Sequence, residues 1–297
     1  MTVKDICAKQ NGTPRGVLPA FTEKLVAFVD CQQNVLAWSV MAGSSEYQCG
    51  VVDYGYWPEQ KRQYVERKTA SPDFNKVYPG QQVEAQLYAA IHDLLAWLDS
   101  RTWKTAGGEA FKLDLVLVDS GAWTKTVNLA ANSSTERVKV MPSLGVGVTA
   151  ADTPFALRRK ATGETHGHHF IIKRSREQGQ RYVQMDVNFW KTKFHELLGA
   201  GIGSESYLSV FAVDQPSEHL MLADHWRAEY PVETTGRGRT LNEWKVLPHV
   251  PENEFLDCGV GCLVALSILG CAFPGMGAMK KRATMTLAEM AAKSRQR

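Results

Sequence analysis

The sequence predicts an α/β domain in which one mixed sheet, a three-stranded antiparallel meander plus parallel strands, is flanked by helices. Three β patterns at residues 24–30, 35–41 and 47–54 are separated only by short turns, which is typical of a meander. The order helix, strand, helix, strand follows, and this alternation favours parallel strands joined by helices. Apolar residues make up 44% of the 297 residues, so the chain can bury a substantial core.

The two ends of the chain are expected to lie outside this domain. Residues 1–23 are polar and contain several glycines and prolines, so we interpret them as a linker or N-terminal tail. The domain itself is predicted to span residues 24–272. Residues 273–297 are predicted to form a basic C-terminal tail, with helical propensity at residues 278–292.

Four elements are predicted after the meander. Residues 81–100 carry apolar side chains at i, i+4 and i+8 spacing and predict a long amphipathic helix. Residues 112–119 form a continuous apolar run of the kind found in parallel strands buried on both faces. A helix at 124–131 and a short strand at 138–141 follow. We expect the strand at 24–30 to lie centrally, with the strand at 112–119 parallel beside it.

The second half of the chain is less regular. Residues 143–167 are polar, basic and glycine-containing, and predict a surface loop. Residues 168–174 and 181–186 alternate in polarity and predict a β-hairpin, so that a basic hairpin is inserted near residues 157–186. The remaining predicted elements are helices at 189–198, 217–223 and 252–270, with a strand at 244–247 after a basic loop.

Composition and charge exclude several classes of protein. The net charge is only +3, so overall charge does not by itself indicate nucleic-acid binding, but basic residues cluster at 157–181 and 280–297. The six cysteines form no C-x-x-C pair, which indicates reduced thiols in a cytosolic protein rather than disulfides or a zinc site. The most apolar run, residues 255–273, is interrupted by Asp257 and several glycines, so no membrane span is expected.

Three apolar stretches each deliver an aspartate. Asp30 ends the strand LVAFVD, Asp119 ends the strand DLVLVD, and Asp257 lies in the first turn of the helix in NEFLDCGVGCLVALSILG. An ionised carboxylate costs several kcal/mol to bury unless it is paired or binds a metal. Neighbouring strands about 4.8 Å apart would bring Asp30 and Asp119 together. We therefore predict that the three aspartates converge on divalent metal ions, although each taken alone could be a cap or a surface residue.

Other residues near these aspartates fit the same site. Glu254 precedes Asp257 by three residues, so it is expected on the same helical face as a fourth ligand. Gly259 and Gly261 each cost up to about 1 kcal/mol against alanine in a helix. We interpret them as positions where the helix approaches the sheet closely. Asp53 also ends a strand near the proposed centre and is expected to be structural.

At six places, in order from about residue 25 to residue 270, the chain resembles the C-terminal endonuclease domain of phage large terminase subunits, of the lambda-like type. The matching segments are FVDCQQNVLAWSV, VVDYG, VLVDSG, VNFWKTKFHELL, LMLADHW and NEFLDCGVGCLVAL. The resemblance implies a ribonuclease-H-like fold and cleavage of concatemeric double-stranded DNA during genome packaging, in the cytoplasm of a bacterial host cell. It also implies two divalent ions, Mg²⁺ or Mn²⁺, as cofactors.

The resemblance also assigns residues by position. The metal-binding acids of the family fall on Asp30, Asp119 and Asp257, and the lysine of the following helix falls on Lys191. In a two-metal site, Asp30 would bridge the ions while Asp119 and Asp257 each complete one. Glu254 would be an auxiliary ligand or would orient water. Lys191 would neutralise the charge of the pentavalent phosphate, or it is a solvated lysine on a helix surface.

Basic side chains are predicted to hold the DNA backbone, which positions the duplex but reads little sequence. They are Lys173, Arg174, Arg176, Arg181, Arg237 and Arg239. The expected partners are double-stranded DNA and, from the resemblance, an ATPase motor subunit, a small terminase subunit and a portal, with no membrane. The chain contains no G-x-x-x-x-G-K-[ST] phosphate loop, so the resemblance implies cutting and not translocation by this chain alone.

Three other functions remain open from the sequence. An actin-like or sugar-kinase-like phosphotransferase needs glycine-rich turns after its strand aspartates; Asp119-Ser120-Gly121 half fits this requirement, and Asp30-Cys31-Gln32 does not. A Holliday-junction-resolvase-like nuclease would use the same acids. A non-catalytic packaging component could use the basic tail to dock a portal or a small subunit.

Overall fold

A computed structural model of the protein describes residues 1–175, 179–250 and 252–275. Its strands are β1 (Gln10–Pro14), β2 (Val17–Leu18), β3 (Lys24–Cys31), β4 (Leu36–Gly43), β5 (Gln48–Trp57), β6 (Trp103–Thr105), β7 (Ala110–Phe111), β8 (Leu115–Asp119), β9 (Val140–Val146), β10 (Thr165–His166), β11 (Phe170–Arg174), β12 (Arg181–Asp186), β13 (Tyr207–Ala212), β14 (Glu229–Gly236) and β15 (Arg239–Val246). Its α-helices are α1 (Val3–Cys7), α2 (Phe74–Val77), α3 (Val83–Ser100), α4 (Thr124–Ser133), α5 (Val187–Gly199), α6 (Leu220–Trp226) and α7 (Glu254–Ile268).

One ten-stranded mixed sheet organises the molecule, in the order β1-β13-β5-β4-β3-β8-β9-β12-β11-β10. Strands β3, β4 and β5 form the predicted antiparallel meander. Strand β8 lies parallel to β3, and β9 lies parallel to β8, so the predicted parallel neighbours are confirmed. Helices cover both faces. This arrangement is a ribonuclease-H-like fold, as the family resemblance implied.

Successive side chains of the central strands point to opposite faces of the sheet and so belong to two separate hydrophobic cores. On β3, Val26 and Phe28 face a core shared with α5, α6 and α7, whereas Leu25, Ala27 and Val29 face the core under α3 and α4. Strand β8 alternates in the same way. Strands buried on both faces read as continuous apolar runs, which is why these segments could be identified from the sequence.

Close approach of α7 to the sheet depends on glycine. A Cβ placed on Gly261 would lie 1.8 Å from Cδ2 of Phe28 on β3, and one on Gly43 of β4 would lie 2.6 Å from Cδ1 of Leu266 on α7. The predicted reason for Gly261 is therefore confirmed. Gly259 instead faces Phe194 of α5, at 2.4 Å from its Cε2. Gly259 and Gly261 thus let α5 and β3 pack against α7 more closely than alanine would allow at these positions.

The prediction that residues 1–23 form a linker or tail was wrong. This segment contains α1, and β1 extends the large sheet by pairing in parallel with β13. An edge strand tolerates the glycine and proline of QNGTP, because only one side of its backbone needs partners. Strand β13 was missed altogether, since a short apolar run between polar segments has no distinctive period.

The basic hairpin was also interpreted incorrectly. Strands β11 and β12 do form a hairpin, but β12 pairs in parallel with β9, so the hairpin extends the main sheet instead of being an insertion. The predicted loop 143–167 contains the end of β9 and all of β10. The predicted strand 244–247 is the end of β15, which forms a separate two-stranded sheet with β14.

Two remaining expectations concern the cysteines and the chain end. All six cysteines are buried free thiols, as the sequence predicted. No helix in the described part of the chain combines the length and hydrophobicity needed to cross a bilayer. Most of the predicted tail at 273–297, including the helix at 278–292, lies outside the described residues.

Candidate active site

Two aspartates meet where parallel strands β3 and β8 end. The register pairs Val29 with Val118, so Asp30 and Asp119 are the next residues on adjacent strands. They follow the same alternation as Phe28 and Leu117, which face α7. Paired residues on neighbouring strands point to the same side of a sheet. Both carboxylates therefore project toward α7.

Asp257, in the first turn of α7, completes this group. It lines a cavity of about 260 Å³ together with Asp30, Asp119 and Lys191 of α5. The structure thus brings together the three predicted metal ligands and the predicted lysine. Residues more than 220 positions apart in the sequence meet here because α7 packs directly across β3.

Burial raises the pKa of all three aspartates, and the charges of neighbouring aspartates raise the pKa of Asp30 and Asp119 further. Burial raises the pKa of Asp30 well above its usual range, and the charges of Asp257 and Asp119 raise it further, although Gln32 Nε2 donates a 2.6 Å hydrogen bond to Asp30 Oδ2. Burial raises the pKa of Asp119 to about 6, although the hydrogen bond donated by the backbone N–H of Gly121 acts to lower it. Burial also raises the pKa of Asp257, although the positive charge of Lys191 acts to lower it. The cavity therefore concentrates negative charge that the surrounding protein only partly neutralises.

Lys191 is buried and paired, so it is not a solvated surface lysine. Its Nζ lies 2.5 Å from Glu229 Oε1 and 3.0 Å from Asp257 Oδ1. Asn253 Nδ2 donates to the same two carboxylates, at 2.8 Å to Glu229 Oε1 and 3.0 Å to Asp257 Oδ2. Burial lowers the pKa of Lys191, but Asp257 and Glu229 more than offset this, so the net pKa is raised and the ammonium stays charged.

Glu254 does not line this cavity. Its Oε1 lies 3.2 Å from Nη1 of Arg67, and its Oε2 lies 3.3 Å from Nδ1 of His225 on α6. The first turn of α7 thus presents Asp257 to the cavity and Glu254 to a neighbouring group. The expectation that the two share one face was too coarse, because residues three apart on a helix differ by about 60° in direction.

Asp30, Asp119 and Asp257 do not form one tight set of three ligand atoms. Within the described residues, the only set of three His, Cys, Asp or Glu ligand atoms that all lie within 4.8 Å is His225, Glu252 and Glu254. Oxygens around a single Mg²⁺ ion lie about 2.1 Å from it, so neighbouring ligands are closer to one another than about 4.3 Å. At least one pair of the three aspartates thus lies further apart than the ligands of one ion do.

A larger cavity of about 590 Å³ adjoins the acidic one, and Leu144 lines both. Two of the predicted DNA-binding residues, Lys173 and Arg174, line this second cavity beside Ser120 and Thr124. Lys173 Nζ lies 3.8 Å from Glu164 Oε1. We call this second cavity the basic groove; it adjoins the acidic cavity at Leu144.

The other predicted DNA-binding residues are distributed differently. Arg181 is exposed and sits directly opposite Arg174 in the β11–β12 ladder. Arg237 is exposed at the tip of the β14–β15 hairpin, in the left-handed region at φ 52°. Arg239 instead donates to the carbonyl oxygens of Thr149, Ala150 and Asp152, so it anchors the hairpin. Arg176 lies outside the described residues.

Comparison with known families agrees with this geometry. Residues 1–279 match the family described as terminase large subunit gpA, endonuclease domain. The chain belongs to this family. The resemblance inferred from the six segments is therefore confirmed over nearly the whole chain.

Two solved structures are among the matches to this terminase nuclease domain. They are mutant nuclease domains of the large terminase subunit gp2 of bacterial virus Sf6, one described with manganese and the other with calcium. Each is 10% identical in sequence and the match covers 89% of this chain and 99% of the other, with TM-scores of 0.43 and 0.42. A search of curated proteins gives no match.

Sequence reasoning missed several polar residues around the site of this terminase nuclease domain. Glu229 begins β14, and no pattern in the sequence distinguished it from the polar residues that follow. Asn253 could have been noticed, since it stands in NEFLDC at the N-cap of α7. Gln32 follows Asp30 by two residues in a predicted turn. Each acts through contacts between distant segments, which periodicity does not report.

Proposed function

We propose that this chain is a divalent-metal-dependent endonuclease that cleaves double-stranded DNA by two-metal phosphodiester hydrolysis during viral genome packaging, in the cytoplasm of the bacterial host. The observation that carries the proposal is that Asp30, Asp119 and Asp257, from β3, β8 and α7, line one cavity. Membership of the terminase endonuclease family supports DNA as the substrate.

The donor set fits Mg²⁺ or Mn²⁺. The three side chains offer only carboxylate oxygens, which both ions prefer. Burial raises the pKa of all three, and repulsion from other aspartates adds to the rise for Asp30 and Asp119, so a bound cation would favour the ionised carboxylates. Asp30 would be shared by two ions, because both other aspartates act on it, and Asp119 and Asp257 would each hold one. Bound ions would supply Lewis-acid stabilisation of charge on the scissile phosphate and would ease ionisation of the attacking water.

Lys191 has two tasks in this proposal. Its ammonium holds Asp257 in place through the 3.0 Å contact, and its position in the cavity lets it offset negative charge that a bound phosphate brings. Glu229 is a positioning residue, because it holds the same ammonium from the opposite side at 2.5 Å. Asn253 donates to both carboxylates and fixes their separation.

The duplex would approach through the basic groove. Lys173 and Arg174 line the cavity next to the aspartates, and Arg181 adds a second guanidinium beside Arg174. Arg237 extends the positive surface at the hairpin tip. Such phosphate contacts would hold the DNA backbone beside the three aspartates without selecting a particular DNA sequence. Arg239 supports the hairpin and is not assigned to DNA.

Cleavage of supercoiled plasmid in the presence of Mn²⁺ tests the proposal. The wild-type chain is expected to nick the plasmid, and Asp30→Asn and Asp257→Asn are each expected to reduce the rate by at least about 100-fold. Asp53→Asn is the matched control. Asp53 is an equally buried strand aspartate, but it pairs with Arg15 at 2.7 Å outside the cavity, so cleavage should persist.

The outcome also separates the alternative functions. Faster cutting of a four-way junction than of linear duplex would indicate a resolvase-like nuclease. A folded wild-type chain that binds DNA but cuts neither substrate with Mg²⁺ or Mn²⁺ would favour a docking component of the packaging machinery. In that case the ATPase motor, small subunit and portal proposed as partners would be the next proteins to test.

A further inference from the structure

A second group of metal-ligand side chains lies outside the acidic cavity. His225 on α6, Glu252 before α7 and Glu254 at the start of α7 are all buried, with exposed fractions of 2%, 7% and 1%. One ligand atom from each lies within 4.8 Å of the others. His225 Nε2 is 3.7 Å from Glu252 Oε2, and His225 Nδ1 is 3.3 Å from Glu254 Oε2.

One buried carboxylate oxygen of this group receives no hydrogen bond from the described residues. The backbone N–H of Phe255 donates to His225 Nδ1 at 3.4 Å. Glu254 Oε2, 3.3 Å away, has no hydrogen-bond partner among the described residues. A buried carboxylate oxygen and an imidazole nitrogen thus lie side by side, with no hydrogen-bond donor to the oxygen. Such an arrangement is costly unless a cation or a proton lies between them.

The charges around these three side chains do not balance, and a cation would complete them. Arg67 contributes the nearby positive charge, through Nη1 at 3.2 Å from Glu254 Oε1, and its backbone N–H donates to Glu252 Oε1 at 2.6 Å. The His225 imidazole can act as a ligand through a ring nitrogen when it is neutral. With both carboxylates ionised, the two glutamates and the guanidinium carry a net charge of −1.

We propose that His225, Glu252 and Glu254 bind a divalent transition-metal ion, at a site separate from the aspartate cavity. An imidazole nitrogen with two carboxylates suits Zn²⁺ better than Mg²⁺ or Ca²⁺, which prefer oxygen ligands alone. Arg67 supplies the outer hydrogen bonds that orient the two carboxylates. The ion would be structural, and this inference does not depend on the cleavage proposed above.

Such an ion would brace the helix that carries Asp257. It would join α6 to the start of α7, three residues before that aspartate. Arg67 extends the connection, because its Nη1 also donates to Gln32 Oε1, and Gln32 in turn donates to Asp30. The site therefore lies behind two of the three aspartates and can fix their separation without touching the substrate.

Zinc content of a protein without the proposed catalytic ligands tests this inference. The full chain carrying Asp30→Asn and Asp119→Asn is loaded with Zn²⁺, desalted, and analysed by elemental mass spectrometry. We expect about one zinc per chain, and added His225→Gln or Glu252→Gln is expected to reduce it at least about tenfold. His219→Gln is the matched control, since His219 is equally buried but bonds to Tyr54 and the Phe211 carbonyl, and zinc should be retained.

The thermal midpoint provides a second readout. Zinc should raise the midpoint of the parent and of His219→Gln but not that of Glu252→Gln, because a ligand stabilises the state that binds it. If His225→Gln does not fold, Glu252→Gln decides the question, since Glu252 precedes α7 and its amide keeps a similar shape. Absence of bound zinc in the folded parent, as expected if a proton joins Glu254 to His225, would overturn the inference. Equal zinc in Glu252→Gln and the parent would overturn it as well.

Discussion

Lys191 is a buried ammonium between two carboxylates, and its removal should leave both unpaired. Breaking a buried ion pair from one side costs roughly 3–5 kcal/mol, and we expect Lys191→Met to lower the free energy of unfolding by roughly 3 kcal/mol, since Asp257 is partly exposed. Urea unfolding without metal at about pH 8 measures the change.

A lysine two residues further along α5 provides the control for Lys191. Lys193 pairs with Glu196, which is 56% exposed, so Lys193→Met should cost less than about 1 kcal/mol. Adding Glu229→Gln to Lys191→Met should restore part of the lost stability, because one unpaired charge is then gone. Equal effects of the two lysine substitutions would mean that the buried pairing has little energetic weight.

Asp119 should make the stability of the metal-free protein depend on pH. Its folded-state pKa of about 6 lies above the ordinary value of 3.8, so the folded state favours the protonated form. The stabilising effect is therefore fully present below about pH 4 and is lost as the pH rises through about 6. Asp119→Asn should abolish this dependence and raise the thermal midpoint at about pH 8.

Thermal melts in a chelator between about pH 4 and pH 8 test the prediction for Asp119. Wild type and Asp119→Asn should converge at the acidic end, where Asp119 is neutral. A lower midpoint for Asp119→Asn at the alkaline end would show that the folded protein stabilises the carboxylate. The repulsion between aspartates would then be too weak to argue for bound cations.

At the scale of single elements, the contact between α7 and β3 positions Asp257. Gly261→Ala would place a methyl group 1.8 Å from the ring of Phe28, which is buried and cannot move away freely. Overpacking of this kind costs about 1–3 kcal/mol, and the helix must shift from the sheet to relieve it. We expect lower stability and slower plasmid cleavage, because Asp257 moves with the helix.

Gly199→Ala is the matched control for this change in α7. Gly199 ends α5, and a Cβ there would meet nothing within 4 Å. Its substitution should be neutral or slightly stabilising and should leave cleavage unchanged. If Gly261→Ala were equally harmless, the distance between α7 and β3 would not be what holds Asp257 at the cavity.

The β11–β12 ladder presents two arginines directly opposite each other. Like charges in this position repel, and an approaching phosphate would relieve the repulsion. Arg174→Ala and Arg181→Ala should therefore weaken duplex binding and reduce the slope of log affinity against log salt by about 1 each. Fluorescence anisotropy at several salt concentrations measures this.

Lys104→Ala controls for the loss of one positive charge in this binding experiment. Lys104 is exposed on β6, in the small sheet β2-β6-β7, away from the groove. Its removal should leave the salt slope unchanged. A similar loss of affinity in all three variants would indicate that DNA responds to net charge and not to the β11–β12 surface.

For the molecule as a whole, the central part of the sheet could be predicted and its borders could not. Strands β3 and β8 are apolar on both faces, and parallel pairing places their terminal aspartates side by side, so sequence alone was enough for Asp30 and Asp119. Strands β1 and β13 depend on each other across nearly 200 residues. Pairing at that distance leaves no local period in either segment.

The same limit applies to the site. The three aspartates were predictable because each interrupts an apolar pattern, and a charge there needs an explanation. Glu229, Asn253 and His225 lie in polar or mixed segments, where another polar residue attracts no notice. Their importance comes from the partners that the fold supplies, such as Lys191 for Glu229.

The most direct test of the account is a crystal of this protein soaked with Mn²⁺ and measured at a wavelength where manganese scatters anomalously. Two anomalous peaks about 3.5–4 Å apart are expected in the cavity, one near Asp119 and one near Asp257, with Asp30 touching both. A well-ordered, Mn²⁺-saturated crystal with no peak among these three carboxylates would contradict the central claim.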